Sequence, residues 1–226
     1  MSASRPAAPR ISAAPLTLTP ARIGAAVARL SAADPALARA IRAVGPCTLT
    51  VRAEGSHFDA LFRAILYQQL SGRAAATIHG RVVAHFGGRA PSPAEFLATD
   101  DVVLRGCGVS RQKIGYLRDL AAHVERGALP LDRVERMTDE AIERALVDVR
   151  GIGRWTAQMF LMFRLGRADV LPDGDLGIQK GMQLIDGLAT LPSPRAAAER
   201  GQGWAPWRTV AAWYLWRTVD GDGALP

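Results

Sequence analysis

The chain has 226 residues, of which 49% are hydrophobic, enough for a packed core in one domain or two closely joined lobes. Its formal charge of +7 and sequence pI near 10.4 suit a protein that meets a polyanion, although an Ala- and Arg-rich composition also follows from a GC-rich genome. No apolar run approaches the roughly 18 uncharged residues of a membrane span, and two distant cysteines, Cys47 and Cys107, exclude a CxxC pair or a disulfide framework.

Residues 1–19 are rich in Pro, Ala and Ser, carry Arg5 and Arg10 and contain no acid; they are expected to form a disordered basic tail before a single helical domain over 20–226. From Pro20 onward apolar residues recur at spacings of three and four. The pattern predicts helices at about 21–30, 35–43, 57–70, 73–86, 112–125, 139–148, 154–165, 176–189 and 206–218. In 57–70 the expected inner face runs through Phe58, Leu61, Phe62, Ile65, Leu66 and Gln69. Gly- and Pro-bearing stretches, among them 91–93, 106–108, 130, 172–174 and 192–194, are read as breaks. Residues 47–53 (CTLTVRA) alternate and include three β-branched side chains, so they are the one expected β element. The fold class is all-α.

Around 106–113 (GCGVSRQK) a turn presents Ser110, Arg111 and Lys113, which are candidate phosphate contacts; Lys113 and Lys180 are the only lysines of the chain. A more specific signal is VRGIGRWTA over 149–157, read as a helix, a tight turn at Gly151-Ile152-Gly153 and a new helix from Arg154. The two glycines allow a positive-φ turn and close backbone approach. Amides of the turn and of the new helix, from Gly151 and Gly153 to Arg154 and Thr156, then make an anion site suited to a DNA phosphate. Ile152 is expected to anchor the turn by packing between the helices, and the carbonyls of Val149 and Gly151 are where a monovalent cation would bridge to the phosphate. Gly-x-Gly alone is weak, since any helix–turn–helix junction uses it.

The extended string VRGIGRWTAQMFLMF, followed by LPDGDLGIQKG at 171–181, resembles the helix-hairpin-helix/Gly-Pro-Asp superfamily of base-excision glycosylases, and is most similar to the 3-methyladenine DNA glycosylase II branch. The likeness covers roughly residues 20–220. It implies two helical lobes with the DNA and the flipped base in a cleft between them, and Asp175, at the start of a helix, as the catalytic carboxylate. As an N-glycosidic bond breaks, positive charge develops on the sugar, and a nearby anion stabilises it or polarises the attacking water. Asp173 competes for the role, but Ile178, Met182 and Ile185 continue at core spacing from Asp175.

Where bifunctional relatives carry a nucleophilic lysine, this chain has Trp155, which implies base removal without strand cleavage. The resemblance also implies a base pocket of Trp155 and Trp216, with Met159 one helical turn beyond Trp155; an electron-rich indole attracts a cationic alkylated purine by roughly 0.5–2 kcal/mol. Trp207 and Trp213 are read as core. The segment 67–71 resembles the family turn that enters the minor groove, with Gln69 or Leu70 as the wedge. The expected protein is therefore a monomeric, cytoplasmic, nucleoid-associated enzyme without cofactor or iron–sulfur cluster, acting on double-stranded DNA with alkylated bases. Two other readings stay open: a non-catalytic helix-hairpin-helix DNA-binding module, and a glycosylase for oxidised or mispaired bases.

Overall fold

Two prolines open the helical part of the chain. In the computed structural model, which describes residues 15–221, α1 (Pro20–Ala33) and α2 (Pro35–Val44) both start with proline in the first turn, where its missing N–H costs nothing. Thr19 caps α1. Asp34 ends α1 and caps α2, its Oδ1 accepting from Leu37 N at 3.0 Å.

Residues 16–19, expected in the tail, are part of the fold. Thr17 bridges to Arg167, and buried Leu18 donates its amide to Gly166 O at 2.6 Å. The rest of the expected tail, 1–14, lies outside the described residues.

The expected strand at 47–53 does not form. Its main-chain groups pair with the helical turn at 160–164 instead of another strand: Arg52 N donates to Phe163 O at 2.8 Å and Arg164 Nη1 to Arg52 O at 2.9 Å. Val51 packs where Gly166 (φ +64°) has no side chain. β-Branched residues here fill a contact surface and do not mark a ladder.

Among the described residues the chain divides into two units, one of Pro15 with residues 54–157 and one of Leu16–Ala53 with residues 158–221. The first holds α3 (His57–Tyr67), α4 (Gly72–His85), α5 (Pro93–Ala98), α6 (Asp101–Gly106), α7 (Arg111–Glu125) and α8 (Asp139–Val147). Its core is built on Leu61, Phe62, Phe96, Leu117, Leu120 and Leu146, with Phe62 and Phe96 edge-to-face at 5.2 Å. α9 (Arg154–Met159) contains the division, and Phe160–Arg164 continue it as one π-helical turn closed by Leu165 N to Phe160 O. In the second unit follow α10 (Leu176–Asp186), α11 (Pro194–Arg200) and α12 (Arg208–Val219).

α5, α6 and α11 fall where periodicity predicts no helix, each sharing a terminal residue with a Gly- or Pro-bearing stretch read as a break. Pro93 and Pro194 initiate helices instead of ending them; Ser92 with Glu95 forms a capping box, and Ser193 caps α11. Helices of six or seven residues also carry too few apolar positions for a period to be read.

α10 and α12 meet closely. A Cβ on Gly181 would come within 2.7 Å of Leu215 O, so the absence of a side chain lets the two backbones touch. Trp204 is the buried indole of this unit, 1% exposed, donating to Asp34 Oδ2 at 2.7 Å. Trp207 and Trp213, the expected core residues, are half-buried.

Candidate functional site

Asp175 stands one residue before α10, as its N-cap and not within its first turn. Its Oδ1 accepts from Ile178 N at 2.9 Å and from the indole Nε1 of Trp216, on α12, at 2.8 Å. The contact depends on Gly177: a Cβ there would lie 2.8 Å from Trp216 Cδ1 and 3.0 Å from Asp175 Oδ1. Trp216 in turn lies beside Phe163 of the π-helical turn, with ring centroids 6.0 Å apart and 31° between planes. Asp173 is set apart by its role: its carbonyl accepts from Gln179 Nε2 at 3.0 Å, tying down the loop. Trp216 is thus a hydrogen-bond partner of the carboxylate as well as an aromatic surface. Met159, half-buried, directly precedes the π turn.

In the 54–157 unit the hairpin follows the expected outline. Gly151 has φ +86°, Ile152 N donates to Val149 O at 3.1 Å, and Val149 and Ile152 are buried. Ile152 therefore anchors the turn as its apolar character suggests. A Cβ on Gly151 would overlap the ring of Tyr116 on α7. Three side chains that the sequence reading does not single out fix the loop: Tyr116 under Gly151, Gln68 donating to Gly151 O at 2.9 Å, and Asp119 accepting from Arg150 N at 2.8 Å. Arg154 pairs with Glu143 at 3.1 Å, Thr156 is half-buried, and Trp155 is 53% exposed at the start of α9.

The expected wedge lies just beyond α3, which ends at Tyr67, so Gln69 leaves the helical face on which periodicity places it. Residues 67–70 form a type II turn: Gln68 has φ −54°, ψ 134°, Gln69 has φ +56°, and Leu70 N closes on Tyr67 O at 3.4 Å. Gln69 is the only non-glycine residue with positive φ among those described, a conformation that usually belongs to glycine and is held where surroundings dictate it. Both Gln69 and Leu70 are exposed.

The turn at 106–113 differs from expectation. Ser110 caps α7, accepting from Lys113 N at 3.3 Å, and Lys113 points inward. Its ammonium donates to Leu66 O at 2.6 Å and Gln68 O at 2.7 Å, and desolvation there lowers its pKa. The orphan carbonyls at the end of α3 give the ammonium its acceptors in place of water. Lys113 is therefore an internal cap, and the exposed cation of that turn is Arg111.

The model of the HhH-GPD superfamily base excision DNA repair proteins matches residues 62–206, which include the hairpin, the turn at 67–70 and Asp175. The chain belongs to this superfamily. It is 37% identical over 163 residues to DNA-3-methyladenine glycosylase 1 of Schizosaccharomyces pombe, covering 71% of this chain and 72% of that protein. Its fold is similar to the crystal structure of a DNA-3-methyladenine glycosidase from Bacillus halodurans, with TM-score 0.79 and 37% identity over 85% of this chain and 88% of the other. It is similar too to S. pombe 3-methyladenine DNA glycosylase Mag1 in complex with abasic DNA, with TM-score 0.75 and 33% identity over 87% and 97% of the two chains.

The superfamily match stops ten residues short of Trp216, so the partner of Asp175 comes from outside it. The family resemblance flags Trp216 as a candidate in the sequence, but nothing local says that its N–H meets the acid. Tyr116 and Asp119 lie outside the strings that carry the resemblance, and Phe163, Gly177 and Gln68 lie inside them without a role of their own; the role of each becomes visible through a contact with a residue distant in sequence.

Proposed function

We propose that this chain is a monofunctional DNA glycosylase that removes alkylated purines, 3-methyladenine among them, from double-stranded DNA and leaves an abasic site. The observation that carries the reading is Asp175, whose Oδ1 is held at the N-terminus of α10 by an amide and an indole N–H. A carboxylate fixed by two donors loses no orientation as charge develops beside it, which is the requirement for electrostatic stabilisation of a sugar cation. Family membership and relatives named for 3-methyladenine support the substrate class.

In this reading the hairpin amides from Gly151 to Thr156 take a phosphate of the lesion strand, with Arg154 beside it. Val149 O and Gly151 O each accept one internal hydrogen bond and keep a second lone pair, so a monovalent cation fits between hairpin and phosphate. Gln69 or Leu70 fills the gap left by the flipped nucleotide, and Trp155, Trp216 and Met159 receive the base. An alkylated purine leaves with its bonding electrons and its own positive charge neutralised, so little acid assistance is needed. Water adds to C1′ of the deoxyribose opposite Asp175 and loses a proton. Trp155 stands where a lyase lysine would be, and an indole supplies no amine for a Schiff base. The enzyme works as a monomer at the cytoplasmic nucleoid.

The deciding assay measures release of methylated, etheno and oxidised bases from defined duplexes, with Asp175→Asn alongside. Release of alkylated purines, lost in the variant while DNA affinity persists, is the expected result. DNA binding with no base released would show a binding module, and release of oxidised bases alone would show the other glycosylase class. Borohydride should trap no enzyme–DNA adduct in good yield.

A further inference from the structure

The wedge turn and the hairpin are 83 residues apart at their point of contact, yet within the 54–157 unit they form one connected piece. Gln68 is held at both ends. Its side-chain amide donates to Gly151 O at 2.9 Å, and its main-chain carbonyl accepts from Lys113 Nζ at 2.7 Å. The same ammonium also takes Leu66 O, the last turn of α3. α7 provides the common base: Lys113, Tyr116 and Asp119, at spacings of three, reach respectively the wedge turn, Gly151 and Arg150 N. Gln112 donates to Tyr116 Oη at 2.7 Å and steadies that ring.

The choice of lysine fits this duty. The chain has 28 basic residues and only two are lysine. A compact ammonium sends separate N–H bonds to two converging carbonyls, whereas a planar guanidinium suits a carboxylate or phosphate fork.

We infer that Lys113 and Gln68 are positioning residues that lock the Gln69 turn to the hairpin, so that phosphate capture and entry of the turn into the duplex are one rigid movement. The inference rests on the glycosylase reading for what the turn does in DNA. Without the lock, the hairpin still grips phosphate, but Gln69 enters the duplex out of register, and loss of about 1 Å of placement costs up to roughly 100-fold in rate.

The test uses the full chain with Lys113→Met, which keeps the apolar stem, and Gln68→Leu, which leaves the ammonium and Leu66 O undisturbed. Three readouts are taken: single-turnover release of 3-methyladenine, the slope of log Kd against log salt on undamaged duplex, and fluorescence of 2-aminopurine opposite a tetrahydrofuran abasic site. Both variants should lose roughly 10- to 100-fold in release rate and most of the fluorescence gain, with the salt slope unchanged. The double variant should be little worse than either single one, since both break the same link. Lys113→Arg should not restore activity.

A salt slope reduced by about 0.9 in Lys113→Met, with fluorescence retained, would make Lys113 a phosphate contact and overturn the inference. Wild-type rate and fluorescence in folded variants would overturn it too. Should Lys113→Met fail to fold, Gln68→Leu decides alone. A wild-type chain that gives the fluorescence change but releases no base overturns the glycosylase reading and leaves the coupling to be judged on fluorescence; one that gives no change overturns the coupling.

Discussion

The indole N–H of Trp216 and the amide of Ile178 donate to the same oxygen of Asp175, at 2.8 and 2.9 Å. One donor comes from the helix that the aspartate caps and the other from a helix 41 residues on, so the carboxylate is fixed by local and tertiary structure at once. Replacing Trp216 by phenylalanine keeps an aromatic ring beside Phe163 but removes the donor. The turnover rate should fall about tenfold, with binding to abasic-site DNA changed less than twofold. A loss confined to binding of the alkylated base would mean that stacking is the whole of its contribution.

Asp175→Asn keeps the shape and the cap, because asparagine is as good an N-cap as aspartate. The melting temperature should stay near that of the wild type. Base release should fall by roughly 10²–10³-fold, the loss expected when one preorganised electrostatic partner of the transition state is removed. Single-turnover kinetics on a 3-methyladenine duplex gives both numbers.

Gly177→Ala sets helix propensity against the site. Alanine gains up to about 1 kcal/mol over glycine within a helix. Its Cβ, however, would press on both Trp216 and Asp175 at 2.8 and 3.0 Å. The variant should therefore fold with near-normal stability by urea titration and lose at least tenfold in release rate. Full activity would show that the indole can move aside without consequence.

Gln69 at φ +56° carries a backbone cost that glycine avoids. Gln69→Gly should stabilise the protein by about 1 kcal/mol in urea unfolding. It should also weaken the fluorescence change of 2-aminopurine opposite an abasic site, because no side chain remains to fill the stack. Gln69→Ala should show the second effect without the first.

Asp34 links stability to pH. Burial pushes its carboxyl up, but Leu37 N–H, Trp204 Nε1 and the guanidinium of Arg200 together outweigh burial and hold it below the ordinary value of 3.8. A depressed folded-state value means that the stabilisation is complete above the ordinary carboxylate range and is lost as pH falls from there through the folded value. Chemical unfolding across pH 2–7 should show this acid limb, flattened in Asp34→Asn. Asp34→Ala should cost roughly 2–3 kcal/mol at neutral pH, because α2 loses its cap and the buried indole N–H of Trp204 loses its acceptor, while Arg200 keeps Asp186.

Helical periodicity alone determined the all-α class and the longer helices, because burying one face of ten or more residues leaves a repeated apolar signature. The Gly-Ile-Gly string likewise pointed to the hairpin, since Gly151 takes the positive φ that glycine adopts without cost; Gly153 does not take it. Short helices such as α5 and α11 escaped because their signal is a cap and an initiating proline, which also reads as a break. The segment 47–53 misled because alternation records side-chain packing, whereas a strand needs a partner that no local sequence names.

Asp175 and its candidacy were therefore legible in the sequence, but its hold by Trp216 was not. Nor was the inward turn of Lys113, which has the same residue type as a phosphate contact and differs only in meeting two carbonyls of α3. Local sequence specifies conformations that a few adjacent residues enforce. The tertiary structure decided which donor meets which acceptor, because those pairs are set by the packing of helices far apart in the chain.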